Sequence, residues 1–204
     1  FLSVASKAAG FVAIMQLVFI GFFGQRDVWE PMFWVLAVLT MTVGNLVALR
    51  QTNVVRLFAY SSVAQAGYML APLAVAGEAG AKLSLSATII YLLIYAGMNL
   101  GAFAIIITVA RKTRSAEIDS FNGLFEYAPG LTVLMTVFLF ALAGIPPLAG
   151  WFAKFQVFYA TANAGTAAGY VLAVFIGVNS VIALFYYARI AQAMWMKEVP
   201  DGDR

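Results

Sequence analysis

Six apolar stretches run through this chain, at residues 1–23, 29–49, 55–77, 84–110, 130–162 and 167–196. Each is long enough to cross roughly 30 Å of hydrocarbon as a helix rising about 1.5 Å per residue, and too long for a barrel strand. With 63% of its 204 residues hydrophobic and 10% charged, the chain lies outside the balance of a water-soluble domain. Its mean hydropathy is +0.91. The expected fold is therefore an all-α membrane protein with six transmembrane helices. The chain opens on Phe1, already inside an apolar helix, and closes on the charged stretch KEVPDGDR, so it reads as part of a longer polypeptide without a signal peptide.

The basic residues set an orientation. Arg50, Arg56, Arg111, Lys112, Arg114, Lys197 and Arg204 fall to one side, and Arg26 and Lys82 to the other. By the positive-inside bias, the connections after the second and fourth helices and the 197–204 tail are expected in the cytoplasm. The net charge of +3 thus reports topology and gives no reason to expect nucleic acid as a partner. The polar connection between the fourth and fifth segments, RKTRSAEIDSFNGLFEYAPG, reads as a surface loop or interfacial turn. Cysteine and histidine are absent, which removes disulfides, thiolate chemistry, iron–sulfur ligation and His-based metal or haem sites from this chain. No cofactor is expected in it. A membrane protease or acyltransferase is disfavoured, because no intramembrane His, Cys or carboxylate is available to activate a nucleophile.

All nine acidic residues lie at segment ends or in connections. Among the basic ones, Lys154 stands within an apolar segment and Lys7 stands in the first, while Arg56 and Arg189 lie nearer the ends. Charge at mid-membrane costs several kcal/mol, which makes such residues functional candidates. Segment 130–162 would reach roughly 50 Å as one straight helix, so it has to bend or break. The place is GIPPLAGWFAKF. Pro146 and Pro147 remove the amides that would serve the carbonyls of Leu142 and Ala143, and Gly144 and Gly150 lower the resistance to unwinding. Lys154 follows two turns later. Either it faces a wet cavity beside the irregular backbone, or the helix is only kinked and the lysine snorkels to an interface. Lys7, among the small residues of SVASKAAG, leaves the same two readings open.

Ser84, Thr88, Tyr91, Tyr95 and Asn99 form one stripe along the fourth helix. Ser61, Ser62 and Gln65 sit at compatible spacing on the third, and Asn179 and Ser180 on the sixth, with Tyr186, Tyr187 and Arg189 beyond. These groups fit either polar contacts between packed helices or a hydrated path. Arg56 reads as an anchor at the cytoplasmic end of its helix. Withdrawal of water disfavours an ammonium ion, so a lysine shielded from solvent becomes a group that loads and unloads a proton, and a movable carboxylate nearby would switch it. This chain has no intramembrane acid of its own, so that partner is expected in other sequence or another subunit. A passive membrane spacer is the contrasting reading, in which both lysines tolerate neutral replacement.

The stretches FLSVASKAAGF, RLFAYSSVAQAGYML, YLLIYAGMNLGAFA, GIPPLAGWFAKFQVF and GVNSVIALFYYARI, in this order across nearly the whole chain, resemble the antiporter-like, proton-translocating membrane subunits of respiratory NADH:quinone oxidoreductase (complex I), in their subunit N (subunit 2) form. The resemblance implies a fourteen-helix fold with two inverted five-helix repeats, each with a discontinuous helix. Residues 1–23 would be the last helix of the first repeat, 29–196 the second repeat with its broken helix at 130–162, and 197–204 a cytoplasmic loop or tail. It implies that Lys154 transfers protons in the second half-channel and that Lys7 lies on the hydrophilic axis joining the halves. Ser61, Ser62, Gln65, Tyr91, Tyr95, Asn99, Asn179 and Ser180 would order water between them. Antiporter-like subunits often carry histidine where this chain has Gln65, and plastid and cyanobacterial relatives resemble it more closely there.

The resemblance also implies flavin, iron–sulfur clusters and quinone in partner subunits, and as partners the other membrane subunits of complex I, antiporter-like and small ones alike, within a lipid bilayer. A bacterial plasma membrane is expected, with thylakoid and mitochondrial inner membranes as alternatives. An Mrp-type cation/proton antiporter subunit, a plastid or cyanobacterial dehydrogenase subunit and a membrane hydrogenase module are the competing readings.

Overall fold

The computed structural model describes residues 2–199. Phe1 and residues 200–204, with Arg204 of the expected cytoplasmic set, lie outside the described residues. Helix α1 (Leu2–Gln16) continues through a π-helical turn at Leu17–Gly21 and a 3-10 turn at Phe23–Gln25 into α2 (Arg26–Leu49). Then come α3 (Val54–Leu70), the short α4 (Ala76–Ala79), α5 (Ala81–Thr113), the short α6 (Leu124–Tyr127), α7 (Pro129–Ala143), α8 (Ala149–Asn163) and α9 (Ala167–Met196).

Among the described residues, four helical stretches are long and apolar enough to cross a membrane: Val4–Gly21, Phe23–Leu49, Ala81–Thr113 and Ala167–Met196. The other two expected spans take a different form. The third is a 17-residue helix, α3, which gives way near Pro72 to a 3-10 turn at Leu73–Val75, because proline has no amide to donate to the Tyr68 carbonyl. The fifth is two 15-residue helices, α7 and α8.

Polar groups gather inside, and many large apolar side chains face outward. Asn45, Ser61, Gln65, Ser84, Thr88, Asn99, Lys154 and Asn179 are buried, whereas Leu93, Val174 and Phe185 are more than 60% exposed. Such a distribution suits a lipid surround with hydrogen-bonding groups gathered inside. Small residues let the backbones meet. A Cβ on Gly44 of α2 would stand 2.7 Å from the Ala64 amide nitrogen of α3, and one on Gly67 would stand 2.5 Å from Met41 Cγ. Helix α2 also packs along α9, and α5 along α7 and α8.

The connections near residues 52 and 117 meet on one face of the bundle. Val54 N donates to Ala116 O and Ile118 N to Thr52 O, both at 2.8 Å, while the Asn53 side chain caps α3 by accepting from Arg56 N. The 111–130 connection, expected as a surface loop or interfacial turn, thus packs inward in part: Ile118, Phe121 and Leu124 are buried in the core. Gly123, at φ 64°, lies against the backbone of Lys197 and Val199, so the described start of the tail covers this face as well.

Candidate functional site

Helix α7 stops at Ala143, and the four carbonyls of its last turn all find partners. Gly144, at φ 91°, takes the left-handed conformation that closes many helices. Ile145 N donates to Phe140 O and Gly144 N to Ala141 O, each at 3.0 Å, which is the hydrogen-bond pair of a Schellman cap. Leu142 and Ala143 remain, the two carbonyls deprived of amides by Pro146 and Pro147. Gln65 Nε2 of α3 donates to Leu142 O at 3.3 Å, and Lys154 Nζ of α8 donates to Ala143 O at 2.8 Å. The break is therefore hydrogen-bonded by side chains from two other helices.

Lys154 is buried, 7% exposed. Its side chain folds back over Gly144, whose missing Cβ would stand 2.7 Å from Lys154 Cδ. The ammonium sits at the carbonyl end of α7, where the helix dipole presents partial negative charge, and 4.8 Å from the centroid of the Tyr68 ring. Gly150 opens α8 in contact with α7: a Cβ there would fall 1.7 Å from Ala141 O.

One turn before Gln65 on α3, Lys7 donates to the Ser62 carbonyl and to Ser62 Oγ, and its ammonium lies 5.1 Å from the centroid of the Tyr95 ring. Tyr91 donates to Gln65 Oε1. The turn Ser62–Gln65 therefore carries partners of both lysine environments: Ser62 meets Lys7, while Gln65 meets the carbonyl next to the one bound by Lys154. Lys7 is half-buried, and neither lysine has an ion-pair partner among the described residues.

A third group joins α2 to α9. Asn45 Nδ2 donates to Asn179 Oδ1 at 3.1 Å, Tyr186 donates to Asn45 Oδ1 at 2.9 Å, and the Tyr68 hydroxyl accepts from Asn45 Nδ2 at 3.5 Å. Ser61 and Tyr187 share a hydrogen bond between α3 and α9. Ser180 back-bonds to Ile176 O and Thr88 to Ser84 O on their own helices, while Asn99 is buried on the inner face of α5. The buried hydroxyls of Ser84 and Tyr95 have no hydrogen bond of standard geometry. Arg189 donates to the carbonyls of Leu49 and Gln51 and so closes the end of α2.

Sequence reasoning missed Tyr68, Asn45 and Glu30. Tyr68 extends the Ser61–Gln65 spacing by three residues, and Asn45 is a lone amide in an apolar helix, so both left a readable signal. Glu30, in the second turn of α2, is 8% exposed and accepts from Gly77 N at 2.6 Å, tying α4 to α2.

A family described as NADH:quinone oxidoreductase/Mrp antiporter, transmembrane, matches residues 1–183. The chain belongs to this family. NADH-quinone oxidoreductase subunit N of Trichlorobacter lovleyi is 42% identical over 97% of the chain and 39% of the relative. A chain of the Mrp complex from Dietzia sp. superposes with a TM-score of 0.82 and 26% identity, over 95% of this chain and 35% of that one. A chain of respiratory complex I from Thermus thermophilus with bound aureothin gives a TM-score of 0.64 and 30% identity, over 82% of this chain and 36% of that one. The chain thus spans about two fifths of the length of the curated NADH:quinone oxidoreductase relatives it matches. Within this NADH:quinone oxidoreductase/Mrp antiporter family, the all-helical fold and the membrane location follow from the match and from the four apolar spans.

Proposed function

We propose that this chain is the proton-conducting second half of a membrane-arm subunit of a respiratory NADH:quinone oxidoreductase. It crosses the membrane six times, with α3 and its 3-10 extension as the third crossing and α7 and α8 together as the fifth. Residues 29–196 form one five-helix repeat of an inverted pair, residues 1–23 close the preceding repeat, and the face bearing Asn53 and Glu117 is cytoplasmic. Quinone reduction, with its flavin and iron–sulfur clusters, takes place in partner subunits. The membrane is a bacterial plasma membrane.

The observation that carries this reading is the hydrogen bond from the buried Lys154 ammonium to the carbonyl at the break between α7 and α8. Lys7 and Lys154 act as proton-transfer groups. The hydroxyls and amides of Ser61, Ser62, Gln65, Tyr91, Tyr95, Asn99, Asn179 and Ser180 order water between them, and residues 144–150 hold the helix open. Hydroxyls and amides do not titrate near neutral pH, so the loaded species is a lysine ammonium.

An Mrp-type cation/proton antiporter subunit is the second reading, favoured by the higher TM-score with the Mrp chain. Sequence identity favours the first, at 42% with subunit N against 26% with the Mrp chain. Purification of the full-length protein with its partners separates them: flavin and iron–sulfur absorbance accompanies an oxidoreductase, whereas small membrane subunits alone accompany an antiporter. In the purified oxidoreductase, Lys154→Met is expected to impair proton translocation while the complex stays assembled. Normal translocation in that variant would remove Lys154 from the pathway.

A further inference from the structure

The buried Lys154 and the half-buried Lys7 each meet an aromatic face. Lys154 Nζ lies 4.8 Å from the Tyr68 centroid and Lys7 Nζ 5.1 Å from the Tyr95 centroid, both within the range in which a ring quadrupole attracts a cation. The rings belong to different helices, α3 and α5, and each faces a lysine from another, α8 and α1. Both rings are fixed: Tyr68 is 0% and Tyr95 1% exposed. Tyr68 stacks on Tyr91 at 6.1 Å with 24° between the planes, and its hydroxyl meets Asn45. The Tyr95 hydroxyl lacks a hydrogen bond of standard geometry.

We propose that the rings of Tyr68 and Tyr95 are positioning residues that hold the protonated amines of Lys154 and Lys7 electrostatically, without accepting the proton. This rests on the reading of both lysines as proton carriers. A fixed carboxylate at the same place would pair with the ammonium ion and compete for its proton, because a carboxylate is itself a base. A ring face attracts the cation more weakly and has no site at which the proton can bind. The amine is therefore steadied in its loaded form and still free to release. The remaining contacts come from oxygens that do not titrate near neutral pH either, Ala143 O for Lys154 and both Ser62 O and Ser62 Oγ for Lys7.

The test replaces Tyr68 in the full-length subunit, within the assembled complex, by Phe, by mono-, di- and trifluorophenylalanine, and by Leu. Fluorine withdraws density from the ring face with little change in its shape. Protons moved per quinone reduced are measured in vesicles. Tyr68→Phe is expected to match the unaltered protein, the fluorinated series to fall stepwise by about fivefold overall, and Tyr68→Leu to be at least as low. Fluorinated phenylalanines at Tyr95, each compared with Tyr95→Phe and not with the unaltered protein, repeat the measurement where a position-68 variant fails to assemble. A flat fluorine series beside an impaired Lys154→Met variant would overturn this inference alone. Full translocation in Lys154→Met would overturn the proton-carrier reading and this inference with it.

Discussion

The ammonium of Lys154 donates to the carbonyl of Ala143 at 2.8 Å, so the side chain proposed to carry a proton is also the cap of the helix preceding its own. Once unprotonated, the amine keeps N–H donors but loses the charge assistance of the ammonium, and this contact weakens. Proton release and the local structure of the break are thereby coupled.

Substitution at position 154 separates these two roles. Lys154→Arg keeps a donor and a charge near Ala143 O but cannot release its proton, because a guanidinium stays protonated in proteins. The expected result is a stable, assembled complex that reduces quinone without translocating protons through this subunit. Lys154→Met removes the donor as well and is expected to cost a further 1–3 kcal/mol of stability, roughly the desolvation penalty of an unpaired buried carbonyl. Thermal unfolding in detergent measures the difference, and translocation by Lys154→Arg would show that release from residue 154 is unnecessary.

Gly144→Ala meets two obstacles. Its φ of 91° disfavours any L side chain by roughly 1–2 kcal/mol, and the new methyl would stand 2.7 Å from Lys154 Cδ. Lowered thermal stability together with reduced translocation is the expected pair of outcomes. Gly150→Ala is expected to be worse, since its methyl would meet Ala141 O at 1.7 Å and force α8 away from α7. Recovery of assembled complex from membranes should rank the unaltered protein first, Gly144→Ala second and Gly150→Ala last. The reverse ranking would contradict the crossing described for these two helices.

Asn45 and Asn179 join α2 to α9 across 3.1 Å. Removing Asn179 leaves the Asn45 amide with fewer partners, and removing Asn45 takes one from both the Asn179 amide and the Tyr186 hydroxyl. A double-mutant cycle with alanine at both positions is expected to give a coupling of roughly 0.5–2 kcal/mol in detergent unfolding, within the range for hydrogen bonds between membrane helices. Strict additivity would mean that the two amides do not interact in the folded protein.

Arg189 closes α2 through Leu49 O and Gln51 O. Arg189→Ala is expected to speed hydrogen exchange in the connection around residues 49–53 by about tenfold, the factor set by roughly 1.4 kcal/mol of lost hydrogen bonding. Exchange in α5 should not change. An unaltered rate at 49–53 would assign the closure of α2 to other contacts.

Sequence alone determined the helical membrane class, because apolar run length against hydrocarbon thickness is a local quantity. It also located the break, since paired prolines remove specific amides wherever the chain goes, and it singled out Lys154 as a costly charge in an apolar run. Tertiary structure decided the rest. Which groups receive the freed carbonyls of Leu142 and Ala143 depends on Gln65 and Lys154 arriving from α3 and α8, and no spacing rule links those positions. The partners of Tyr68, Asn45 and Glu30 were hidden for a related reason. A helix that is apolar on nearly every side gives little indication of which face meets its neighbours, so the partners of a lone polar residue emerge only when the helices pack. The length of α3 was likewise settled near Pro72, where a run that looks continuous by hydropathy changes its backbone.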